Sequence, residues 1–309
     1  MSKNDENVSI TTKDYEASIH TSSSPSISPL SPPSSEIVRK DVKKEIIRQV
    51  IRQKLSKMRH LVLPEVISPD YLDSLFPKLL ELFNPQTVEY NGGIAKVKQW
   101  KISCYLEVME GGIPCTNPNM PLLNLFTPLL HQCNDLFTSW YKQQHSYEIR
   151  PNVHDIKVKR IMTFITRYRP NPGENALLKH VDGAGKVDGS VVVALPVDRW
   201  SDTEEANSFV GHGGGLTFWD GKESVVEEEE KEGKIEEEKK EGDTPFGGKL
   251  GCRRQYRPKE IQYDTRSGDV AFIDRAVWHQ ANPISKGTRW ALVIFYDVTK
   301  VLVDQKEGI

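Results

Sequence analysis

At 309 residues and a net charge of −2, the chain is long enough to bury one substantial core. Its balance of 41 basic against 43 acidic side chains gives no global field to draw it to nucleic acid or a membrane. Its four cysteines, Cys104, Cys115, Cys133 and Cys252, form no CxxC pair, so neither a zinc knuckle nor a disulfide framework is suggested.

No apolar run of about 18 residues is present to span a bilayer. The first residues lack the apolar stretch of a signal peptide, and Asp5, Glu6, Asp14 and Glu16 argue against a transit peptide. The expectation is a cytoplasmic or nuclear protein of unknown oligomeric state. Residues 1–35 are rich in Ser, Thr and Pro, with few large apolar groups to offset ordering entropy, and are expected to be a disordered tail. The serines before its prolines are phosphorylation targets or part of a plain flexible tail. Residues 36–60 predict a basic amphipathic helix. Val38, Val42, Ile46, Ile47, Val50, Ile51, Leu55 and Met58 recur at three- and four-residue spacing, with Lys and Arg on the other side. Such a helix either packs its apolar stripe on the core or meets a partner or membrane surface.

Residues 61–159 predict a helical and strand-rich support region. Ser68-Pro69 is a helix start ahead of Tyr71, Leu72, Leu75, Leu79 and Leu82. A second helix is expected over about Leu122 to Lys142, and Ala95 to Val108 reads as strand-rich. Residues 222–243 are a glutamate-rich low-complexity insertion, read as a solvated loop or as a lid near an active site.

The chemistry lies between residues 160 and 298. A β-rich run, Arg160 to Tyr168, precedes a turn-rich connector, Arg169 to Asn175, and then His180-Val181-Asp182. In a strand, residues i and i+2 share a face, so His180 and Asp182 can both point at one metal ion. After these come the apolar run Ser190 to Pro196, the glycine-rich Gly213 to Trp219, and Ser267 to Asp274. His279 follows, and Arg289 stands ten residues beyond it. Two histidines and one carboxylate on one face of a metal leave open positions for substrate and oxygen, as non-haem Fe(II) oxygenases require. A guanidinium at Arg289 would match a cosubstrate carboxylate bidentately. Its strand face carries Ala291, Val293 and Phe295, an apolar set suited to a barrel interior.

Residues 160–298 resemble the catalytic core of the prolyl 4-hydroxylase-like branch of the Fe(II)/2-oxoglutarate dioxygenases. The elements that carry the resemblance are Tyr168, Asn171-Pro172-Gly173, His180-Val181-Asp182, Val191 to Ala194, Gly214 to Phe218, Gly268-Asp269, His279 and Arg289. It implies a mainly β fold with flanking helices and a double-stranded β-helix, or jelly-roll, core within a domain at 36–309. It further implies Fe(II) on His180, Asp182 and His279, and 2-oxoglutarate with its 5-carboxylate on Arg289. O2 would be a cosubstrate, and ascorbate is implied as a reductant. Tyr168 either donates its hydroxyl to the same carboxylate or is a core tyrosine at the barrel rim.

The leading expectation is hydroxylation of a C–H bond on a protein side chain such as proline. A small-molecule hydroxylase is the first alternative. Nucleic-acid demethylation of the AlkB type ranks below it, because the second arginine of that group falls here at Phe295. A non-catalytic β-helix binding module would be expected to lack a ligand. Trp278 and Asn282, beside His279, are read as supports or as merely structural. Thr217 and Trp219 are expected to alternate, one face lining the pocket. His154 and His212 are read as ordinary polar residues.

Overall fold

The computed structural model describes residues 37–56, 58–90, 98–107, 118–146, 153–196, 214–225 and 255–302, all within one compact unit, Ser34–Ile309. The Ser/Thr/Pro tail, His212, Gly213, Cys115, Cys252 and the acidic insertion beyond Val225 lie outside the described residues.

The elements run in the order α1 (Val42–Ser56), β1 (His60–Leu63), α2 (Pro69–Leu82), β2 (Gln86–Tyr90), β3 (Gln99–Glu107), α3 (Met120–Gln144) and β4 (Val153–Tyr168). After them come β5 (Leu177–His180), β6 (Gly189–Ala194), β7 (Leu216–Val225), β8 (Gln255–Tyr263), β9 (Val270–Asp274), β10 (Trp278–Ala281) and β11 (Arg289–Leu302). The described strands form two antiparallel sheets. The larger has the order β1-β9-β6-β11-β4-β3-β2, and the smaller β5-β10-β7-β8. From β4 onward the chain alternates between the two sheets in a double-stranded β-helix, except that β7 and β8 pair with each other in the smaller sheet, so residues far apart in sequence become neighbours. The fold is mainly β with three flanking helices among the described residues.

Alternation along the strands explains the layers. On β6, β9 and β11 the residues Val191, Val193, Phe272, Leu292 and Ile294 join a core shared with the helices. Their neighbours Val192, Ala271, Ile273, Ala291, Val293 and Phe295 join a second core between the sheets. Every residue of β6 and β9 is buried because both faces of the large sheet are covered.

The helices follow their caps. Ser68 accepts a hydrogen bond from the Tyr71 N–H at 3.4 Å, and Pro69 opens α2. Asn119 caps α3 by accepting from the Leu122 N–H at 3.0 Å. Helix α1 is shorter than the sequence suggests, and its apolar stripe is narrower. Val42, Ile46 and Val50 are fully buried, whereas Ile47 and Ile51 are 45% and 53% exposed. The helix meets the body along one row of i, i+4 residues, and the adjacent row turns away from it.

Strand β7 runs to Val225, and Glu223, Ser224 and Val225 pair in register with Arg257, Tyr256 and Gln255 of β8. The strand therefore includes the first residues of the segment read from its composition as a loop. Pairing with β8 settles the backbone there, whatever the glutamates prefer.

Two glycines of the sequence pattern are required by close approach. Gly215 has φ +79°, and a Cβ there would lie 2.1 Å from the Tyr263 carbonyl oxygen. Gly268 has φ +89°, and its Cβ would lie 2.3 Å from the carbonyl of Ile67. Beside it, Asp269 accepts from the N–H groups of Glu65 and Arg266 at 2.9 and 2.8 Å, tying the loop after β1 to the turn before β9.

Candidate metal centre and cosubstrate pocket

His180 ends β5, and His279 is its direct partner on β10. Asp182 does not continue the strand. It opens a 3-10 turn, Asp182–Gly185, after an extended Val181 (φ −121°, ψ 135°). One extended residue is enough to bring the side chains of positions 180 and 182 to the same side. The Nε2 atoms of His180 and His279 each lie 3.5 Å from Oδ1 of Asp182. One donor atom from each of the three residues falls within 4.8 Å of the others, and all three side chains are buried. Donors bound at right angles with bonds of about 2.1 Å stand about 3 Å apart, so this set closes on a metal with little movement.

The remaining ring nitrogens fix how the two imidazoles are oriented. His180 Nδ1 lies 2.8 Å from the Leu178 carbonyl, and His279 Nδ1 lies 3.0 Å from that of Val277. In both cases the acceptor is two residues upstream. Each Nδ1–H donates there, which leaves the Nε2 lone pair for a metal. Ser190 Oγ donates to Asp182 Oδ2 at 2.5 Å and aims the other oxygen at the histidines. Sequence reasoning missed Ser190. Its signal is parity, since it shares an inward face with Val192 and Ala194 on β6.

Electrostatics reinforce the set. Burial pushes the Asp182 carboxyl up, but the imidazoles of His279 and His180 prevail and hold it well below the usual carboxylate range. Burial and the neighbouring His279 lower His180. Burial acts to lower His279 as well, but the Asp182 charge and hydrogen bond win and raise it. A pair of unequal histidines sharing one carboxylate suits a cation in their place.

The three residues line a cavity of about 540 Å³ between the sheets, together with Tyr168, Arg289, Lys101 and a mostly apolar wall. Arg289 is directly opposite Tyr168 in the β11–β4 ladder, its guanidinium carbon 5.4 Å from the tyrosine ring. Arg289 is 2% exposed, and its Nε and Nη1 have no hydrogen-bond partner. Burial lowers its pKa and raises that of Tyr168.

Other expected residues face elsewhere. Leu216 and Phe218 point inward with the second core. Thr217 bonds Asn282 at 2.7 Å, and Trp219 bonds Glu260 at 3.1 Å, both on the opposite face of the small sheet. Trp278, 40% exposed, is on that face too and adjoins His279 only along the chain. His154 lies in β4, and His212 outside the described residues.

The chain is similar to an oxidoreductase of the 2OG-Fe(II) oxygenase family from Burkholderia pseudomallei at 15% identity. That likeness covers 84% of this chain and 92% of the other, with a TM-score of 0.47. It is similar to a prolyl-4-hydroxylase from Pseudomonas putida at 10% identity, with 82% and 100% coverage and a TM-score of 0.44. It also resembles SnoN, a non-haem α-ketoglutarate-dependent epimerase of nogalamycin biosynthesis, at 13% identity, 86% and 92% coverage and a TM-score of 0.47. No protein-family model and no curated protein matches the chain. No helix among the described residues is long and apolar enough to cross a membrane.

Proposed function

We propose that the chain binds Fe(II) through His180, Asp182 and His279, takes 2-oxoglutarate between that iron and Arg289, and hydroxylates a C–H bond in the cavity. The observation that carries this reading is Arg289. A guanidinium buried to 2% exposure with two nitrogens, Nε and Nη1, unpartnered among the described residues is costly unless an anion meets it. It opens onto the cavity that holds the two-histidine, one-carboxylate set, and a 5-carboxylate is the matching fork.

Bound iron, with 2-oxoglutarate and O2, supplies the oxidation: one oxygen atom goes to the substrate alcohol, the other to succinate, and CO2 leaves. The chain's own residues hold and exclude. Ser190 orients Asp182, and the carbonyls of Leu178 and Val277 orient the two imidazoles. Tyr168, opposite Arg289 in the ladder, would donate its hydroxyl to the same carboxylate. The apolar wall of Met162, Phe164, Val192 and Val293 keeps water from the reacting centre. Ascorbate as reductant rests on the sequence resemblance alone, as does a prolyl side chain as substrate. A second reading, a small-molecule substrate, is favoured by Lys101 in the cavity.

Anaerobic titration with Fe(II) and then 2-oxoglutarate tests the site. A charge-transfer band that saturates at one equivalent is the expected result, with loss in His180→Ala and His279→Ala while circular dichroism stays that of the parent. Retention of the band and of 2-oxoglutarate turnover in either variant would remove that histidine as a ligand.

A further inference from the structure

Lys101, in the cavity, takes no part in holding iron or 2-oxoglutarate in the reading above. On β3 it stands in register with Val88 on β2, and both line the cavity. Its Nζ lies 3.6 Å from the ring centroid of Phe164 and 5.6 Å from that of Tyr105. Among the described residues it makes no ion pair and no hydrogen bond. Lys101 is half-buried, and two aromatic faces are weak compensation for an ammonium partly withdrawn from water. Burial lowers its pKa to about 8, which leaves it cationic at neutral pH.

Lys186 also lines the cavity but is exposed, and the two cations withdrawn from solvent, Arg289 and Lys101, serve different ends of it. Arg289 feels Tyr168, whereas Lys101 feels Asp182, one of the three candidate ligands. A cavity of about 540 Å³ falls among sites of about 300–1,000 Å³ that hold drug-sized molecules, so it has room for more than a five-carbon diacid. The wall around Lys101 is apolar, with Val88, Tyr105, Ile161, Met162 and Phe164. Val88 is 42% exposed, so this apolar surface continues to the outside.

We propose that the substrate is a small organic acid, whose carboxylate pairs with Lys101 while its apolar body lies along Val88, Ile161 and Met162 and presents a C–H bond to the His180–Asp182–His279 centre. The inference rests on the oxygenase reading of that centre. One amine without supporting N–H groups matches a single negative charge. A phosphate dianion ordinarily gathers several donors.

Isothermal titration of the anaerobic protein loaded with Fe(II) and 2-oxoglutarate tests the proposal. The probes are hexanoate and 4-phenylbutyrate, the neutral amide of each, and hexyl phosphate. The acids are expected to bind at least about tenfold more tightly than their amides, the scale of one charge-assisted hydrogen bond. Lys101→Met should abolish that preference. Lys101→Arg should keep part of it, and 2-oxoglutarate affinity should stay within about twofold of the parent in both variants. Lys101→Met should also fold, because an apolar chain of similar length replaces a half-buried lysine between two aromatic rings. Circular dichroism and a melting temperature at or above the parent's check this.

Equal binding of acid and amide, binding of neither, or tighter binding of hexyl phosphate than of hexanoate would overturn the proposal. So would a Lys101→Met variant that loses 2-oxoglutarate instead, since Lys101 would then serve the cosubstrate. If the parent takes up neither iron nor 2-oxoglutarate, the oxygenase reading fails by itself. The acid-over-amide preference of the metal-free protein then decides Lys101 separately.

Discussion

In the proposed function the cosubstrate depends on Arg289, and the environment of that residue makes the outcome of replacement specific. Its Nε and Nη1 are buried and unpartnered among the described residues, so removing it takes no hydrogen bond on those atoms from the unliganded protein. Arg289→Ala should therefore leave the melting temperature of the metal-free protein unchanged or higher. With 2-oxoglutarate bound, the same change leaves a buried carboxylate without its cation, a loss of about 3–5 kcal/mol. At about 1.4 kcal/mol per decade, affinity should fall by about two to three and a half decades. Arg289→Lys should recover part of it, keeping the charge and losing the fork. Titration of the charge-transfer band in the three proteins measures this. An alanine variant that binds 2-oxoglutarate like the parent would exclude Arg289 as the clamp.

At the scale of elements, α1 gives a paired test of which apolar row carries the packing. Ile46 is fully buried and Ile47 is 45% exposed, one position apart. Ile46→Ala should cost about 2–5 kcal/mol, and Ile47→Ala should stay within about 0.5 kcal/mol. Chemical denaturation of both variants measures the difference. Equal losses would mean that the outer row is also covered.

The spacing of α1 predicts both rows and cannot rank them, because the ranking depends on what packs against the helix. Strand parity is more informative. It places Arg289 with Ala291, Val293 and Phe295, and these three side chains form part of the core between the sheets. The order of His180, Asp182, His279 and Arg289 is readable because local extended backbone brings the first two together and a turn separates the last two. Lys101 and Ser190 are not readable from that pattern. Lys101 enters the cavity only because β3 pairs with β4, and Ser190 reaches Asp182 only because β6 crosses to the large sheet. Strands β1 and β2 are too short for alternation to announce them, and their edge positions are tertiary facts.

Across the whole molecule, a buried polar tie joins the two sheets behind the centre. His60 on β1 of the large sheet bonds Asp220 of β7 at 2.8 Å through Nδ1 and meets the Tyr263 hydroxyl of β8 at 3.2 Å through Nε2. Its ring stacks on Phe218 with centroids 4.1 Å apart, and Phe218 stands opposite His279 in the β7–β10 ladder. Asp220 also accepts from the backbone N–H of Arg59 and of Gly221. His60→Ala removes one charge-assisted hydrogen bond of about 1.5–3 kcal/mol and a ring stack of about 0.5–1.5 kcal/mol. A drop in melting temperature of roughly 5–15 °C is expected for a domain of this size.

The pH dependence of that drop tests its cause. Burial acts to raise the Asp220 carboxyl, but the hydrogen bonds from His60 and the Arg59 backbone hold it below the ordinary carboxylate range. A depressed carboxylate contributes stability that is present above its unfolded pKa of about 3.9 and is lost as pH falls through the lower folded value. The gap in melting temperature between parent and His60→Ala should thus be widest above about pH 4 and should narrow in more acidic solution. A gap that stays constant through the acid limb would assign the whole loss to the stack on Phe218 and leave the ion-supported tie without a role.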